Sequence, residues 1–375
     1  MGMRPLVRPW AVVALAFVWA GVLSAPVAAL AAWPAQIATI GTLLVSSSGS
    51  DSNGGRSFGD AFATIARAAK AARPGDVIAV APGSYHGEVV TSASGTAGHR
   101  ITFVSVDPLG ARIDGSGHDT AWRNNGDYVD IVGFDVSGSN YLGIFNMGSY
   151  VRVIGNEVHN LAAPSCNSPN GGAGIDHGNY GGTGDETIGN IVHDIIPPGS
   201  HCSLIHGIYH ANAGGRIVNN IVYRVADTGI ETWHAATGVT IANNLVFDAY
   251  VGIVVSGDTV LGDNYLVANN MLLDNTYGIA ENGTRLGTHN RYLNNLLHGN
   301  THDFMLTTGR PQGTLFTPPQ LLDYQSDGSG NYRPAPGSPA IDAGTATGAP
   351  SSDIEGTPRP QGNAVDIGPY EAVQK

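Results

Sequence analysis

The feature that most constrains this 375-residue chain is an asparagine that recurs between residues 156 and 295. It precedes a short aliphatic run in each unit, and successive spacings are 34, 30, 24, 26 and 25 residues. A Gly-Ile pair accompanies the units. The asparagines are Asn156, Asn190, Asn220, Asn244, Asn270 and Asn295, and the pairs begin at Gly143, Gly174, Gly207, Gly229, Gly252 and Gly278.

Units of about 22–26 residues with strand segments of three to five residues predict an all-β coil of three short strands per turn. Successive turns of such a coil pair about 4.8 Å apart. Asparagine tolerates the left-handed backbone of a bend between strands, which β-branched residues do not. The asparagines should therefore stack along one edge and hydrogen-bond to one another. Leucine-rich repeats and propellers fit neither the residue pattern nor the period.

The two flanks of the repeat have different patterns. Residues 60–73 are alanine-rich with Phe62, Ile65 and Ala69 on one face, so we expect a helix that caps the open end of the coil. Proline and glycine become frequent near the C-terminus, where we expect the chain to cover the other end. The predicted segments are a signal peptide over 1–31, a coil with its cap over 42–310, and a tail over 311–375.

The N-terminal segment has the pattern of an export signal. Arg4 and Arg8 precede an apolar stretch from Trp10 to Leu23, and small residues up to Ala31 offer a cleavage site. The stretch is shorter than the ~20 residues of a membrane span, and we expect no span in the mature chain. We expect a secreted or periplasmic monomer after cleavage near Ala31. An uncut N-terminal anchor is the alternative.

The net charge argues against a nucleic-acid partner, and the two cysteines predict a disulfide. The chain has 18 basic and 30 acidic residues, a net charge of −12, whereas a protein that coats nucleic acid shows a basic stripe. Cys166 and Cys202 match no CxxC motif and no four-ligand zinc pattern. In an exported chain, we expect a disulfide between them.

Several segments resemble a known family. Residues 49–55, 61–65 and 74–85 are similar to the opening of secreted right-handed parallel β-helix proteins of the pectin-lyase-like superfamily. Residues 338–344 and 366–371 are similar to a tail of the choice-of-anchor type. The resemblance implies a right-handed parallel β-helix with an extracellular polysaccharide as partner. The superfamily includes polysaccharide lyases, glycan hydrolases, epimerases and non-catalytic adhesins.

The Gly-Ile pairs also set a register for candidate site residues. The second residue after each glycine should point outward, because side chains alternate along a strand. In three consecutive units this residue is Asp176, Tyr209 and Glu231, and Trp233 follows two positions later. The same units contain the histidines His177, His210 and His234, and they border the long loops 160–173 and 194–206.

The resemblance favours β-elimination on an acidic glycan, although no motif in these residues decides between elimination and hydrolysis. We assign proton abstraction to Tyr209 or His210, because lysine is absent from these units. Asp176 and Glu231 are assigned to a bound Ca²⁺ or to acid/base work. The expected substrate-binding residues are Trp233, which would stack on a sugar, His177 and His234.

Other interpretations stay open at this point. Asp176 and Glu231 lie two turns apart, ~9.6 Å between Cα atoms, and could serve an inverting hydrolase. The protein could also bind glycan without catalysis, with its carboxylates solvated or holding a calcium ion that only stiffens loops. His177 and His210 have inward parity, which favours a polar ladder inside the coil. His206 and His210 lie ~13 Å apart on a strand, so a zinc pair is not expected.

Overall fold

In a computed structural model, described for residues 43–162, 171–195 and 203–373, the chain forms a right-handed parallel β-helix. The predicted signal peptide over 1–31 lies outside the described residues, as do Cys166 and Cys202. Their disulfide therefore stays a prediction. Within the described residues, no helix has both the length and the hydropathy needed to cross a membrane.

Three parallel sheets form the faces of the coil, with strands numbered in chain order. The first sheet contains β1 (Leu43–Val45), β2 (Val77–Val80), β5 (Ile101–Ser105), β8 (Val129–Val132), β11 (Arg152–Ile154), β14 (Glu186–Ile188), β17 (Arg216–Val218), β19 (Thr240–Ala242), β21 (Leu266–Ala268), β24 (Arg291–Leu293) and β27 (Arg310–Gln312).

The second and third sheets are joined, because two long strands run through both. The second contains β3 (Gly83–His86), β6 (Ala111–Asp114), β9 (Asp135–Ser137), β12 (Glu157–His159), β15 (Ile191–Ile195), β22 (Met271–Leu273) and β25 (Leu296–His298). The third contains β4 (Val89–Thr91), β7 (Thr120–Asn124), β10 (Leu142–Asn146), β13 (Gly172–His177), β16 (Ile205–His210), β23 (Tyr277–Gly283) and β26 (His302–Met305). The joining strands are β18 (Ile221–Thr232) and β20 (Leu245–Gly257).

The interior is a continuous apolar column that the Gly-Ile pairs help to build. Every isoleucine of these pairs is fully buried: Ile144, Ile175, Ile208, Ile230, Ile253 and Ile279. Each such burial contributes roughly 1.5–3 kcal/mol relative to exposure. Toward the N-terminal end the column widens for Trp122, whose ring packs 5.5 Å from Phe103 and 5.0 Å from Phe134.

The predicted asparagine ladder is confirmed. The Nδ2 of Asn220 donates to the Oδ1 of Asn244 at 2.9 Å and to the Thr187 carbonyl at 3.0 Å, and its Oδ1 accepts from the backbone of Asn190. The same bonds join the other members from Asn156 to Asn295. The bend itself uses the preceding residue, such as Asn219 at φ 59° or Gly189 at φ 63°. The left-handed position and the ladder position are thus two different residues.

The glycine of each Gly-Ile pair marks a place where the chain passes close to the core. A Cβ on Gly207 would lie 2.5 Å from Val222 Cγ1, and one on Gly229 would lie 2.3 Å from Val246 Cγ1. The strand therefore bends at this glycine. As a result, both Ile205 and Ile208 are buried.

The cap and the tail differ in part from expectation. The helix α1 covers Ile65–Ala71, shorter than 60–73, and begins after Thr64, whose side chain accepts from the Arg67 amide. A 3₁₀ turn, Phe58–Asp60, precedes it. Ile65, Ala68 and Ala69 of the helix are buried in the core.

The tail packs along the side of the coil instead of covering its other end. It contains an antiparallel pair, β28 (Leu321–Asp323) and β29 (Asn331–Pro334). The left-handed asparagines of the later turns hold it, since their side chains donate to tail carbonyls. These bonds join Asn219 to Ser352, Asn243 to Asp366 and Gly368, Asn269 to Thr345, and Asn294 to Ala343.

Candidate functional site

A single outward row on the third sheet contains the predicted carboxylates. Asp176 pairs directly with Tyr209, and Tyr209 pairs directly with Glu231, so three adjacent turns present them side by side. Toward the N-terminus the row continues to Phe145 and Arg123. The predicted register of Asp176, Tyr209 and Glu231 is therefore confirmed. We call these five residues, Arg123, Phe145, Asp176, Tyr209 and Glu231, the site row.

Asp176 is the least satisfied member of the site row. Its side chain is only partly exposed, and its Oδ1 is buried with no hydrogen-bond partner among the described residues. Loss of solvation raises the pKa of Asp176 to about 6, against the opposing charges of His177 and His206. A carboxyl group with such a pKa accepts and releases protons near neutrality, as a catalytic acid or base must.

Glu231 is paired with a histidine that the sequence reasoning did not place in the site. His206 Nδ1 lies 2.7 Å from Glu231 Oε2, and both residues are buried. Burial lowers the pKa of His206, but the charges of Glu231, Asp227 and Asp176 outweigh this, so its pKa is raised. The pair thus favours an imidazolium beside a carboxylate.

His206, Asp227 and Glu231 also fit a divalent cation. One ligand atom from each lies within 4.8 Å of the others, and all three residues are buried. An imidazole with two carboxylates suits a transition metal better than Ca²⁺, which prefers oxygen ligands alone. Asp176 is not part of this group, so the predicted Ca²⁺ on Asp176 and Glu231 stays a prediction.

Aromatic rings surround the middle of the site row. The ring of Tyr209 stacks on that of His206 with ring centres 4.9 Å apart, and it meets the ring of His234 in a T-shaped contact with centres 6.3 Å apart. The ring centres of Tyr180 and His234 are 4.1 Å apart. Burial and the nearby carboxylates raise the pKa of Tyr209 well above its usual value. Tyr209 is therefore a protonated phenol at neutral pH, and its predicted role in proton abstraction stays a prediction.

Trp233 and His234 follow the end of β18 and are both partly exposed, as a sugar-binding role requires. His234 Nδ1 lies 3.7 Å from Asp258 Oδ2, and desolvation lowers its pKa. Their assignment to substrate binding stays a prediction.

His177 and His210 lie inside the coil, both fully buried. His177 contacts Asn146, Thr187 and Asp185, and His210 Nε2 lies 2.9 Å from the Gly214 carbonyl. Desolvation lowers the pKa of His210 to about 4. Proton abstraction by His210 and substrate contact by His177 both need an exposure that neither has. We therefore leave both out of the proposed site and treat them as an internal polar ladder.

Two residues of the site escaped the sequence reasoning. Strict alternation places His206 opposite Tyr209, but the bend at Gly207 turns both to the same face. Arg123 lies before the first ladder asparagine, and only the strand pairing from Arg123 through Phe145 to Asp176 places it in the row. The close approach of Gly207 to Val222 is visible only in the structure, so the sequence carries no signal that would have found His206.

The loops expected to border the site lie largely outside the described residues, which omit 163–170 and 196–202. The outward row itself is fully described, and its register rests on described strands alone. Their role as groove walls stays a prediction.

The structure is similar to known glycan-related proteins. The crystal structure of pectate lyase Pel9A matches with a TM-score of 0.63 and 17% identity, covering 89% of this chain and 98% of the lyase. The complex of XylC with xylose matches with a TM-score of 0.52 and 14% identity, covering 72% of this chain and 69% of XylC. At these identities the likeness shows the fold alone. A scan against protein-family models and a search of curated proteins gave no match.

Proposed function

We propose that the protein is an exported enzyme that cleaves an acidic extracellular polysaccharide by β-elimination at the site row. The observation that carries this proposal is the alignment of Asp176, Tyr209 and Glu231 on three adjacent turns, where a buried carboxylate oxygen of Asp176 has no partner among the described residues. Buried polar groups are almost always satisfied, so an unpartnered oxygen within a row of titratable side chains favours a site. The shared fold with Pel9A supports the reaction class.

Neighbouring side chains can divide the proton transfers. Asp176, with its raised pKa, takes the proton from the carbon next to the sugar carboxylate. The bond to the leaving glycosidic oxygen breaks as the carbon–carbon double bond forms, and that oxygen takes the phenol proton of Tyr209. Return of the proton from Asp176 to Tyr209, its direct neighbour on the next turn, restores both groups. The step then balances without an added reactant.

Arg123 is the basic side chain of the site row, and it is ion-paired with Glu88, so it would contact a sugar carboxylate in exchange with that pair. It lies two turns from Asp176, ~9.6 Å between Cα atoms, with its guanidinium 5.0 Å from the centre of the Phe145 ring. The Nε of Arg123 donates to Glu88 Oε1 at 3.1 Å, and its Nη2 donates to Thr120 Oγ1 at 3.2 Å. A cation held by His206, Asp227 and Glu231 would add charge stabilisation for the sugar carboxylate.

Inverting hydrolysis is the second candidate, favoured by the different surroundings of the two carboxylates. Asp176 has a pKa of about 6, whereas Glu231 is paired with His206. A protonated and an ionised carboxylate two turns apart would supply an acid and a base. The two reactions differ in the form of Asp176 that they require.

A glycan panel with two readouts tests the proposal. Polygalacturonate, alginate, rhamnogalacturonan and a neutral glucan are incubated with the full chain, and both unsaturated-uronate absorbance and reducing ends are measured. We expect both signals in equal amount on an acidic glycan, with kcat/KM rising as the pH rises through about 6, because Asp176 must be ionised to accept a proton.

Reducing ends without absorbance, together with activity that falls as the pH rises through about 6, would instead show hydrolysis with Asp176 as the acid. Neither signal on any of the four glycans would contradict both reactions. The neutral glucan controls for cleavage that does not need a sugar carboxylate.

A further inference from the structure

The outward face extends beyond the site row toward the C-terminal turns, where aromatic side chains replace the titratable ones of the site row. The strand pairing runs from His206 through Thr228 and Val251 to Tyr277 and His302. Tyr277 is therefore two turns beyond Glu231 and His302 is three, ~10 Å and ~14 Å along the coil. Both lie on the face that the site row occupies.

Aromatic rings stand together at this position. Tyr277 stacks on His302 with ring centres 4.9 Å apart and an interplanar angle of 24°, and Tyr250 meets Tyr277 edge to face at 5.6 Å. Tyr250 and Tyr277 are partly exposed and His302 is exposed. We call these three residues the aromatic platform.

The positions between the aromatic platform and the site row are apolar. Val251, Val254 and Ala280 occupy them, and they are buried in a cluster with the partly exposed Tyr250 and Tyr277. No charged side chain occupies these three positions, so none of them repels a sugar chain that passes from the site row to the platform. A pyranose residue in a polymer spans a length close to one turn of the coil, which places the platform about two to three sugars from Glu231.

A cleft of about 420 Å³ opens beside the platform. Tyr250 lines it together with the carboxylates Asp248 and Asp274 and the hydroxyls Thr276 and Thr301. Arg224, whose charge acts on Asp248, is paired with Asp194 at 2.7 Å, so the two cleft carboxylates leave this region negative. Hydroxyl groups of a neutral sugar can donate to these carboxylates, whereas a uronate would be repelled.

We propose that the aromatic platform and its cleft bind a neutral sugar of the same polysaccharide chain whose acidic sugar lies at the site row. Asp248 and Asp274 make this end of the face negative, whereas the acidic sugar is assigned by the proposed function to the site row, so the two ends take sugars of different character. The substrate is then a mixed glycan in which neutral sugars occur within two or three residues of a uronic acid, not a homopolymer of uronates. The placement of the acidic sugar at the site row rests on the proposed function.

Binding and cleavage are measured separately to test the proposal. Rhamnogalacturonan and gellan are the mixed probes, and polygalacturonate and alginate are the homopolymeric probes, each cast into native gels that retard a bound protein. We expect stronger retardation by a mixed probe, and a loss of affinity of about tenfold or more in Tyr277→Ala, because a sugar face loses its stacking partner. Tyr150→Ala is the matched control, since Tyr150 is also an exposed tyrosine stacked on another ring, at a different corner of the coil.

The outcomes distinguish this proposal from the proposed function. Retardation that depends on Tyr277 but comes without cleavage of any probe would support the platform and count against the enzyme. Cleavage of a mixed glycan with unchanged retardation and unchanged KM in Tyr277→Ala would overturn the platform and leave the enzyme standing. Equal or stronger retardation by the homopolymers, or none by any probe, would also overturn it. Far-ultraviolet circular dichroism confirms that both variants fold.

Discussion

Two rows of polar side chains run along this coil, and they are built in opposite ways. In the asparagine ladder, Asn220 and its neighbours satisfy each other and the backbone at every turn. In the site row, Asp176 has a raised pKa and a buried oxygen for which the described part of the chain offers no partner. A satisfied buried network stabilises a fold, whereas an unsatisfied one lowers stability and survives where chemistry uses it. The contrast separates the row that holds the coil together from the row where we propose that the chemistry occurs.

The largest expected effect on stability is therefore in the ladder. Asn220→Ala removes an acceptor from the backbone N–H of Asn190 and a donor from the Thr187 carbonyl, both in the interior. Each orphaned group costs about 1–3 kcal/mol, so we expect the free energy of unfolding to fall by about 3–4 kcal/mol. Equilibrium urea denaturation measures it.

The control for this variant is Asn282→Ala, at an exposed asparagine of the same coil. It should change the free energy of unfolding by less than about 0.5 kcal/mol. Equal effects of the two substitutions would show that the ladder does not carry the stability assigned to it.

A smaller effect of opposite sign is expected in the site row. The pKa of Asp176 is raised from 3.8 to about 6 in the folded chain, so its contribution to stability is full below about pH 4 and is lost as the pH rises through about 6. Asp176→Asn removes the ionisable group, so the variant does not lose this stability as the pH rises. We expect a gain of about 1–2 kcal/mol in the free energy of unfolding at pH 8, and no gain at pH 4.

Denaturation of both proteins across this pH range measures the effect. A variant that is less stable than the native chain at pH 8 would contradict the reading of Asp176 as an unsatisfied carboxyl group. Glu186→Gln, on the first sheet, serves as a carboxyl-to-amide control away from the site row.

Much of this architecture could be predicted from the sequence because the repeat has one simple cause. Each ladder asparagine and each Gly-Ile isoleucine has the same neighbours one turn away, so counting along the chain places Asp176, Tyr209 and Glu231 in one row. The rule that successive side chains of a strand point to opposite faces fails where the backbone bends. Gly207 turns His206 to the outer face, and no local pattern shows how close Val222 lies. The left-handed bend also lies one residue before the ladder, at Asn219 in one turn.

The start of the cap helix and the place of Arg123 were harder to predict for a related reason. Thr64 ends the extended chain by accepting from Arg67, which overrides the helical preference of the alanines before it. Arg123 lies in turns without a ladder asparagine, so no sequence mark connects it with Asp176. Its place follows from pairing between strands that are distant along the chain.

The central claim, that the unsatisfied row acts and the satisfied row stabilises, is tested most directly by one double variant. Asp176→Ala with Glu231→Ala is measured for turnover of the glycan identified in the panel, and its unfolding is measured in parallel at pH 7. We predict loss of turnover by at least about a thousandfold, since both carboxylates of the row are gone, with a cooperative unfolding transition retained. Full turnover in this variant would place the chemistry elsewhere on the coil and contradict the account.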